Sequence, residues 1–238
     1  MFTGPPRTIP ARDRWAAFAG IASVVLLIPA LMVTVVAGDQ PAPNAQTQRI
    51  VSYLTQHRNA YLSSLLFEIV SLALLLWFIA AFVDLAARSD PQVEWIGGLA
   101  FSGAIGFSVL MLIEDAAFAA AARLADQRDL GPTIRALWEL GYQAAWPFTR
   151  GFLTLLLVGT GVAVWRTRAL PRRVAATAWF AAIVNVAFLP TIFVRNGAFQ
   201  AGGVLAHTTA TLVFELWVLY AAMMMLVRRA RPSSASAL

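Results

Sequence analysis

The sequence predicts an all-α polytopic membrane protein with six transmembrane helices and both termini in the cytoplasm. Of its 238 residues, 59% are hydrophobic and only 13% are charged, against roughly 25% charged residues in a soluble domain. Apolar stretches of about 20 residues, the length of a membrane span, recur along the chain. This composition excludes a disordered chain, and the stretches lack the polar face that a soluble helix turns towards water.

Six stretches are long and apolar enough to span a membrane. They run from about Trp15 to Ala37, Tyr61 to Val83, Trp95 to Phe118, Ala145 to Trp165, Val174 to Val194 and Val204 to Val227. We therefore predict one six-helix transmembrane domain over residues 1–238, with a cytoplasmic N-terminal segment at 1–14 and a flexible cytoplasmic tail at 228–238. The first stretch is longer than the apolar core of a secretion signal, so we expect it to remain as a helix.

Two shorter helices are predicted in the loops on the outer side. Ile50, Val51 and Leu54 share one helical face, which is typical of a short amphipathic helix lying at the membrane interface. A second helix is predicted to begin near Pro132, because proline is well tolerated in a first turn. This helix can continue into the fourth span, where Pro147 is expected to kink it.

The arginines predict the orientation in the membrane. All 18 basic residues are arginine; eleven lie on the side of the two termini, six lie on the opposite side, and Arg150 lies inside the fourth span. Since arginine-rich loops stay in the cytoplasm, both termini are predicted inside. The net charge of +6 is therefore a topology signal suited to an anionic inner leaflet, and it gives no evidence for a nucleic-acid partner. The arginine-only, alanine-rich composition suggests a GC-rich bacterial genome, so we predict a multi-pass protein of a bacterial inner (plasma) membrane.

Tryptophans and glycines predict how the helices pack. The tryptophans near span ends are predicted to anchor the helices at the membrane interfaces: Trp15, Trp95, Trp146 and Trp165. Trp77 and Trp217 lie deeper and are predicted to pack between helices. Small residues that allow close helix contact are predicted in the third and fourth spans: Gly97, Gly98, Gly103, Gly106, Gly159 and Gly161.

Polar side chains inside the spans are the candidate functional residues, because an ionisable group in hydrocarbon needs a partner, water or a proton. Converting sequence position into depth places nearly all of them in the outer half of the membrane. If they converge, they form one polar pocket that is open towards the outside. The candidates are Glu68, Glu114, Asp115, Glu139, Gln143, Arg150, Asn185, His207 and Glu215. Helical spacing supports convergence, since Glu139, Gln143 and Arg150 fall on one helical face.

Each candidate has a structural interpretation beside the functional one. Arg150 either forms an ion pair with an acid of the second or third span, or anchors a carboxylate or phosphate. Glu68 and Glu215 are either protonated and hydrogen-bonded, or they form a proton relay or cation site. Adjacent helical residues point about 100° apart, so only one of the acids at 114 and 115 needs to face the bundle. His207 is expected to be a hydrogen-bonding residue at the interface.

The motifs for common catalytic chemistry are missing from the sequence. The chain has no cysteine, which excludes disulfides, thiol nucleophiles and cysteine-held metal clusters. No phosphate-binding loop or dinucleotide fingerprint appears, and no histidine spacing indicates a metal site. We therefore predict no catalytic residue, metal or cofactor, and an enzyme is the least supported class.

One family resemblance is carried by four short segments. They read RWAAFAGI at 14–21, IVSYL at 50–54, GPTIRAL at 131–137 and RTRALPR at 166–172. The chain resembles a broad group of six-span actinobacterial integral membrane proteins that have no established activity. In that group a tryptophan often follows the inner-loop Pro-Arg, whereas Arg173 stands here. The resemblance implies the topology and assigns no activity to any residue.

The sequence thus leaves two functions open. The first is a structural or regulatory integral membrane protein, whose polar groups stabilise or tune the helix bundle. The second is a small-solute or proton-coupled transporter that uses Glu68, Arg150 and Glu215 in the outer-half pocket. The partners predicted are the lipid bilayer and, in either case, a further copy of the chain or another membrane protein.

The orientation can be tested with a reporter fused after Leu238. We expect activity from a reporter that works only in the cytoplasm, because the arginine-rich side stays inside. A fusion that is active only outside the cytoplasm would overturn the predicted topology.

Overall fold

The computed structural model describes residues 9–36, 40–194, 197–200 and 204–228, and within these ranges it contains helices and no β-strand. Six helical segments are long and apolar enough to cross a membrane, which confirms the predicted fold class. The helices are α1 (Ala11–Val36), α2 (Thr47–Ser89), α3 (Glu94–Leu124), α4 (Gly131–Gln143), α5 (Thr149–Thr167), α6 (Arg172–Ala187) and α7 (Val204–Val227). Most of the predicted N-terminal segment and the tail at 229–238 lie outside the described residues.

The fourth span is a composite of two helices and the segment between them. α4 passes through a π-helical turn at Ala144–Phe148 directly into α5. The prediction that a helix beginning near Pro132 continues into the fourth span is therefore confirmed. Where Pro147 was expected to kink the helix, the chain adopts the wider π-helical turn, which accommodates a residue that cannot donate a backbone hydrogen bond.

The six spans form a closed ring in chain order. α1 packs on α2, α2 on α3, α3 on α5, α5 on α6, α6 on α7, and α7 returns to α1. Large apolar side chains from these helices fill the middle of the ring, among them Phe78, Leu156, Phe214 and Met225, each at most 2% exposed. We refer to the end of the ring that holds Asp13 and Arg88 as the inner end, and to the opposite end as the outer end.

A second core lies beyond the ring at the outer end. With 43 residues, α2 is about 65 Å long, roughly twice the thickness of the hydrocarbon core of a bilayer. Its first half packs with α4 and the end of α3 around an outer aromatic cluster. The rings of this cluster are Tyr53, Tyr61, Phe118, Trp138 and Tyr142. The ring centroids of Phe118 and Trp138 are 4.9 Å apart.

This second core overturns the prediction of a separate amphipathic helix at the membrane interface. Ile50 and Leu54 lie in the first turns of α2 and are fully buried in the outer aromatic cluster. No proline or glycine interrupts the chain between residues 47 and 89. The helix therefore runs on without a break, and its apolar face packs against protein.

The predicted glycine contacts are confirmed at most positions. A Cβ atom on Gly103 would lie 2.6 Å from the Leu156 nitrogen, and one on Gly159 would lie 2.9 Å from the Ala100 Cβ atom. These two glycines let α3 and α5 approach closely. Gly98 differs, because a Cβ atom there would meet nothing within 4 Å.

The tryptophan predictions have mixed outcomes. Trp217 is 2% exposed, as predicted for a residue between helices, whereas Trp77 is 50% exposed and lies on the outside of the ring. Trp146 was predicted as an interfacial anchor, but it is buried. The π-helical turn that contains Trp146 turns its ring towards the interior, where it contacts Arg150.

A buried ion network closes the ring at the inner end. Asp13 of α1 is fully buried and accepts hydrogen bonds from Arg88 of α2, at 2.8 Å, and from Arg228, which follows α7. Asp84 extends the network, with contacts of 2.6 Å to Arg12 and 3.0 Å to Arg88. In the sequence these charges indicate only the topology, yet in the fold they join the first, second and last spans.

Replacing the central acid should weaken the whole bundle. Asp13→Asn leaves Arg88 and Arg228 without their shared carboxylate, and losing one partner of a buried ion pair costs about 3 kcal/mol. We expect a clearly lower midpoint of thermal unfolding for the purified protein in detergent. Glu94→Gln is the matched control, because Glu94 is an exposed acid at the same end and its removal should change stability by less than about 1 kcal/mol. Equal midpoints for the two variants would contradict the role of the network.

Candidate functional site

A polar cluster lies where the ring core meets the outer aromatic cluster. The structure places five of the candidate residues in this region: Glu68, Glu114, Asp115, Arg150 and Asn185. Four helices contribute them, namely α2, α3, α5 and α6. Asp115 is 3% exposed, Arg150 is 4% exposed and Asn185 is fully buried. Glu114 is 9% exposed, whereas Glu68 is only partly buried. The other four polar groups therefore lie inside the protein.

The acids of this polar cluster contact one another across two helices. The carboxyl groups of Glu68 and Asp115 lie within hydrogen-bonding reach. Among the described residues, no N–H or hydroxyl group donates to either oxygen of Asp115 or to Oε2 of Glu114. Because a carboxylate can only accept, a hydrogen bond between two carboxyls requires a proton on one of them. Both adjacent acids of α3, Glu114 and Asp115, face the protein interior. The sequence had required only one of them to do so.

Arg150 is held by an amide and an aromatic ring. Its Nη1 donates to Oδ1 of Asn185 at 3.1 Å, and its Cζ lies 4.8 Å from the ring centroid of Trp146. The orientation of the Asn185 side chain is fixed by a hydrogen bond from its Nδ2 to the Ala181 carbonyl. The prediction of a direct ion pair with Glu68, Glu114 or Asp115 is wrong, because none of these carboxylates lies within ion-pair distance among the described residues.

Arg150 still interacts electrostatically with one acid of the cluster. Its charge and that of Glu114 act on each other without direct contact. A guanidinium group has five N–H donors, and the described residues accept one hydrogen bond from it. The remaining donors are available to water or to an anion.

The predicted stripe of polar residues on the fourth span is broken. Glu139 and Gln143 are exposed, and Glu139 pairs with Arg135 at 3.0 Å. The π-helical turn at Ala144–Phe148 takes up one more residue than an α-helical turn, and one residue corresponds to a rotation of about 100°. Arg150 is thereby turned away from the face that carries Glu139 and Gln143.

The acid of the last span lies apart from the cluster. Glu215 is partly buried in α7, and no charged group acts on it within the described part of the chain. Its helix packs on α1 and α6, whereas Glu68 and Asp115 meet between α2 and α3. The backbone of His207 is helical, and its side chain lies outside the described set.

The polar cluster is closed towards the outside, contrary to the predicted open pocket. Tyr61 lies two turns before Glu68 on α2, and Phe118 lies one turn after Glu114 on α3. Both rings belong to the outer aromatic cluster, which covers the polar groups from that direction. Tyr142 also belongs to it, lies close to Glu114, and donates to the Pro41 carbonyl at 3.1 Å.

The same packing explains why Tyr61 and Tyr142 were not proposed from the sequence. Tyrosines at span ends are typical of interfacial belts, and only the fold shows that these two surround an acid. Within the described ranges, no set of three or more His, Asp and Glu side chains is arranged to hold a metal ion.

Comparison with protein-family models, curated proteins and solved structures finds no match to this chain. The resemblance to six-span actinobacterial proteins therefore stays a prediction.

The amide that holds Arg150 should be needed for stability. Asn185→Leu removes the only protein acceptor that the described residues offer Arg150, and a lost hydrogen bond to a charged group costs about 2 kcal/mol. Asn185→Asp keeps the acceptor and should retain stability. Thr154→Val is the matched control, because its hydroxyl only donates to the Arg150 backbone carbonyl one turn earlier, a bond worth little.

Thermal unfolding of the purified full chain measures all three variants. We expect a lowered midpoint for Asn185→Leu alone. If Asn185→Asp is destabilised as strongly as Asn185→Leu, the side-chain acceptor is not what stabilises Arg150.

Proposed function

We propose that the protein is a regulatory integral membrane protein of a bacterial plasma membrane, with both termini in the cytoplasm. In this proposal, the cluster of Glu68, Glu114 and Asp115 binds a proton, and the bound proton controls how α2 packs on α3. The arginine distribution supports the orientation. The polar cluster supports the regulatory function, because it is buried, carries acids and joins helices that are far apart in sequence.

The contact between the carboxyls of Glu68 and Asp115 carries the proposal. When both groups are ionised, two negative charges meet in a medium that screens them poorly, so α2 and α3 repel each other. When one proton is present, one carboxyl donates to the other and the repulsion becomes a hydrogen bond. The packing of the two helices therefore depends on a single proton.

The position of the contact supports a mechanical effect at the outer end. Beyond Glu68 and Asp115, α2 and α3 continue into the outer aromatic cluster. There Arg58 of α2 pairs with Asp126, two residues after the end of α3, at 2.6 Å. A small change of the distance between the helices at the acids is passed outwards along stiff helices. The part of the protein that would respond is the outer aromatic cluster.

Proton binding can be measured by infrared difference spectroscopy between acidic and alkaline buffer, on the full chain in lipid vesicles. We expect a carboxyl C=O band that appears as the buffer is acidified and that is lost in Glu68→Gln and altered in Asp115→Asn. Glu139→Gln is the control, because this acid is exposed and already paired with Arg135. A wild-type spectrum that lacks a band sensitive to Glu68→Gln would reject proton binding.

The helix movement can be measured separately, because the chain has no cysteine of its own. Spin labels on Asn59→Cys in α2 and Arg123→Cys in α3, both at exposed positions, report the distance between the outer parts of the two helices. We expect this distance to change with pH, and to stop changing when Glu68→Gln and Asp115→Asn are added. A distance that is independent of pH would leave proton binding without a regulatory effect.

A proton-coupled carrier of a small anion is the second candidate. The unfilled donors of Arg150 favour it, since a guanidinium binds carboxylate or phosphate in a bidentate way. Such a carrier has to open the outer aromatic cluster in each cycle. Proton flux into vesicles that follows an imposed anion gradient, and that Glu68→Gln abolishes, would favour the carrier over the regulator.

A further inference from the structure

The turn between α5 and α6 carries a dense positive charge that no acid of the described residues neutralises. Four exposed arginines lie within eight residues: Arg166, Arg168, Arg172 and Arg173. No carboxylate of the described residues pairs with any of them. Arg88 and Arg228, at the same end of the ring, are neutralised by Asp13. The turn is therefore the densest group of uncompensated arginines that the described residues place at the inner end.

The turn has a defined shape that fixes where the arginines stand. The Thr167 hydroxyl donates to the Ala163 carbonyl at 2.7 Å and accepts from the Ala169 nitrogen at 3.2 Å. Arg168 adopts a left-handed backbone conformation with φ of 52°, and Leu170 is 3% exposed in the ring core. The buried Leu170 and the hydrogen bonds of Thr167 fix the backbone of the turn at the ends of α5 and α6.

Two tryptophans continue this surface towards the membrane. The Cζ atom of Arg172 lies 4.6 Å from the ring centroid of Trp165, and the tilted ring of Trp179 lies 5.3 Å from that of Trp165, measured between centroids. The missing side chain at Gly161 makes room for the Trp179 indole. Tryptophans that stack with a guanidinium are typical of the level where lipid headgroups meet hydrocarbon.

An apolar groove begins at Trp179 and follows the seam between α5 and α6. It has a volume of about 340 Å³ and is lined almost wholly by apolar atoms. The side chains that line it are Thr154, Val158, Trp179, Ala182, Ile183 and Val186. From Trp179 to Val186 the helix rises about 10 Å, so the groove leads from the tryptophans towards the middle of the membrane.

We propose that this surface binds one anionic phospholipid. The headgroup phosphate lies on the arginines of the turn, with Arg168 and Arg172 as principal donors, and an acyl chain lies in the groove beside Ile183. The positive charge matches a net negative headgroup, and a zwitterionic lipid offers no such match. A free phosphate would use the arginines and leave the groove empty. The apolar groove directly beside the arginines therefore favours the lipid.

Quenching of tryptophan fluorescence by brominated acyl chains tests the proposal on the full chain in vesicles. Brominated phosphatidylglycerol in unlabelled phosphatidylcholine is compared with brominated phosphatidylcholine in unlabelled phosphatidylglycerol, at equal bromine content. We expect stronger quenching by the anionic lipid, and Trp179→Phe should remove the excess. Arg172→Gln should lower the preference for the anionic lipid about fivefold, the contribution of one basic residue near a membrane surface.

Two variants make the test specific for this surface. Arg14→Gln is the matched control, since Arg14 is an exposed arginine at the same end and forms no ion pair with a described carboxylate. It should leave the preference unchanged. Ile183→Phe fills the groove and should reduce quenching by both lipids; Ile183 is 68% exposed, so the fold tolerates the change.

Each remaining outcome would overturn the proposal. Equal quenching by the two lipids would exclude a preference for anionic headgroups. An effect of Arg14→Gln as large as that of Arg172→Gln would show general attraction to the membrane without a site. Unchanged quenching in Ile183→Phe would exclude the acyl chain from the groove. Displacement of the lipid by soluble glycerol phosphate at low concentration would show that the arginines bind a free phosphate.

Discussion

The buried charges of this protein are held away from water, so they need partners or a proton inside the protein. Helices satisfy the backbone, so the difficult groups are the charged side chains. Asp13 is accommodated by two arginines from other spans, and this network brings the first and last helices together. Arg150 is accommodated by an amide and an aromatic ring. Asp13 closes the ring, and Arg150 lies where the ring meets the outer aromatic cluster.

The two ends of the ring differ because of these arrangements. The inner end is tied by an ion network and carries the arginine turn, whereas the outer end is capped by aromatic rings with few ion pairs. The polar cluster lies between two separately packed cores, where side chains from α2, α3, α5 and α6 meet. A change of charge at that position acts on the contact between the cores and leaves the interior of each intact.

Composition and periodicity were sufficient to predict the fold class, because a span needs only length and apolarity. The polar cluster was predictable in part, since depth follows from sequence position and placed Glu68 and Asp115 at a similar level. Partners were not predictable, because they depend on which helices are neighbours in the ring. The network of Asp13, Arg88 and Arg228 joins residues that are far apart in the chain. No local sequence pattern predicts such contacts. The outer aromatic cluster was not predicted, because the apolar face of Ile50 and Leu54 at the start of α2 resembles that of an interfacial helix.

The π-helical turn at Ala144–Phe148 divides the fourth span into two parts with different phase. A helical wheel drawn through residues 131–167 therefore mixes interior and exterior positions, and the two parts need separate wheels. A chain shorter by one residue in this turn would form an uninterrupted α-helix and keep Arg150 turned away from Glu139, whereas an uninterrupted α-helix of the same length would present Arg150 on the face of Glu139. Alignments across this region must consequently permit a one-residue gap inside a transmembrane helix. Residue-by-residue transfer of mutational data through residues 144–148 is valid only between chains that share the turn.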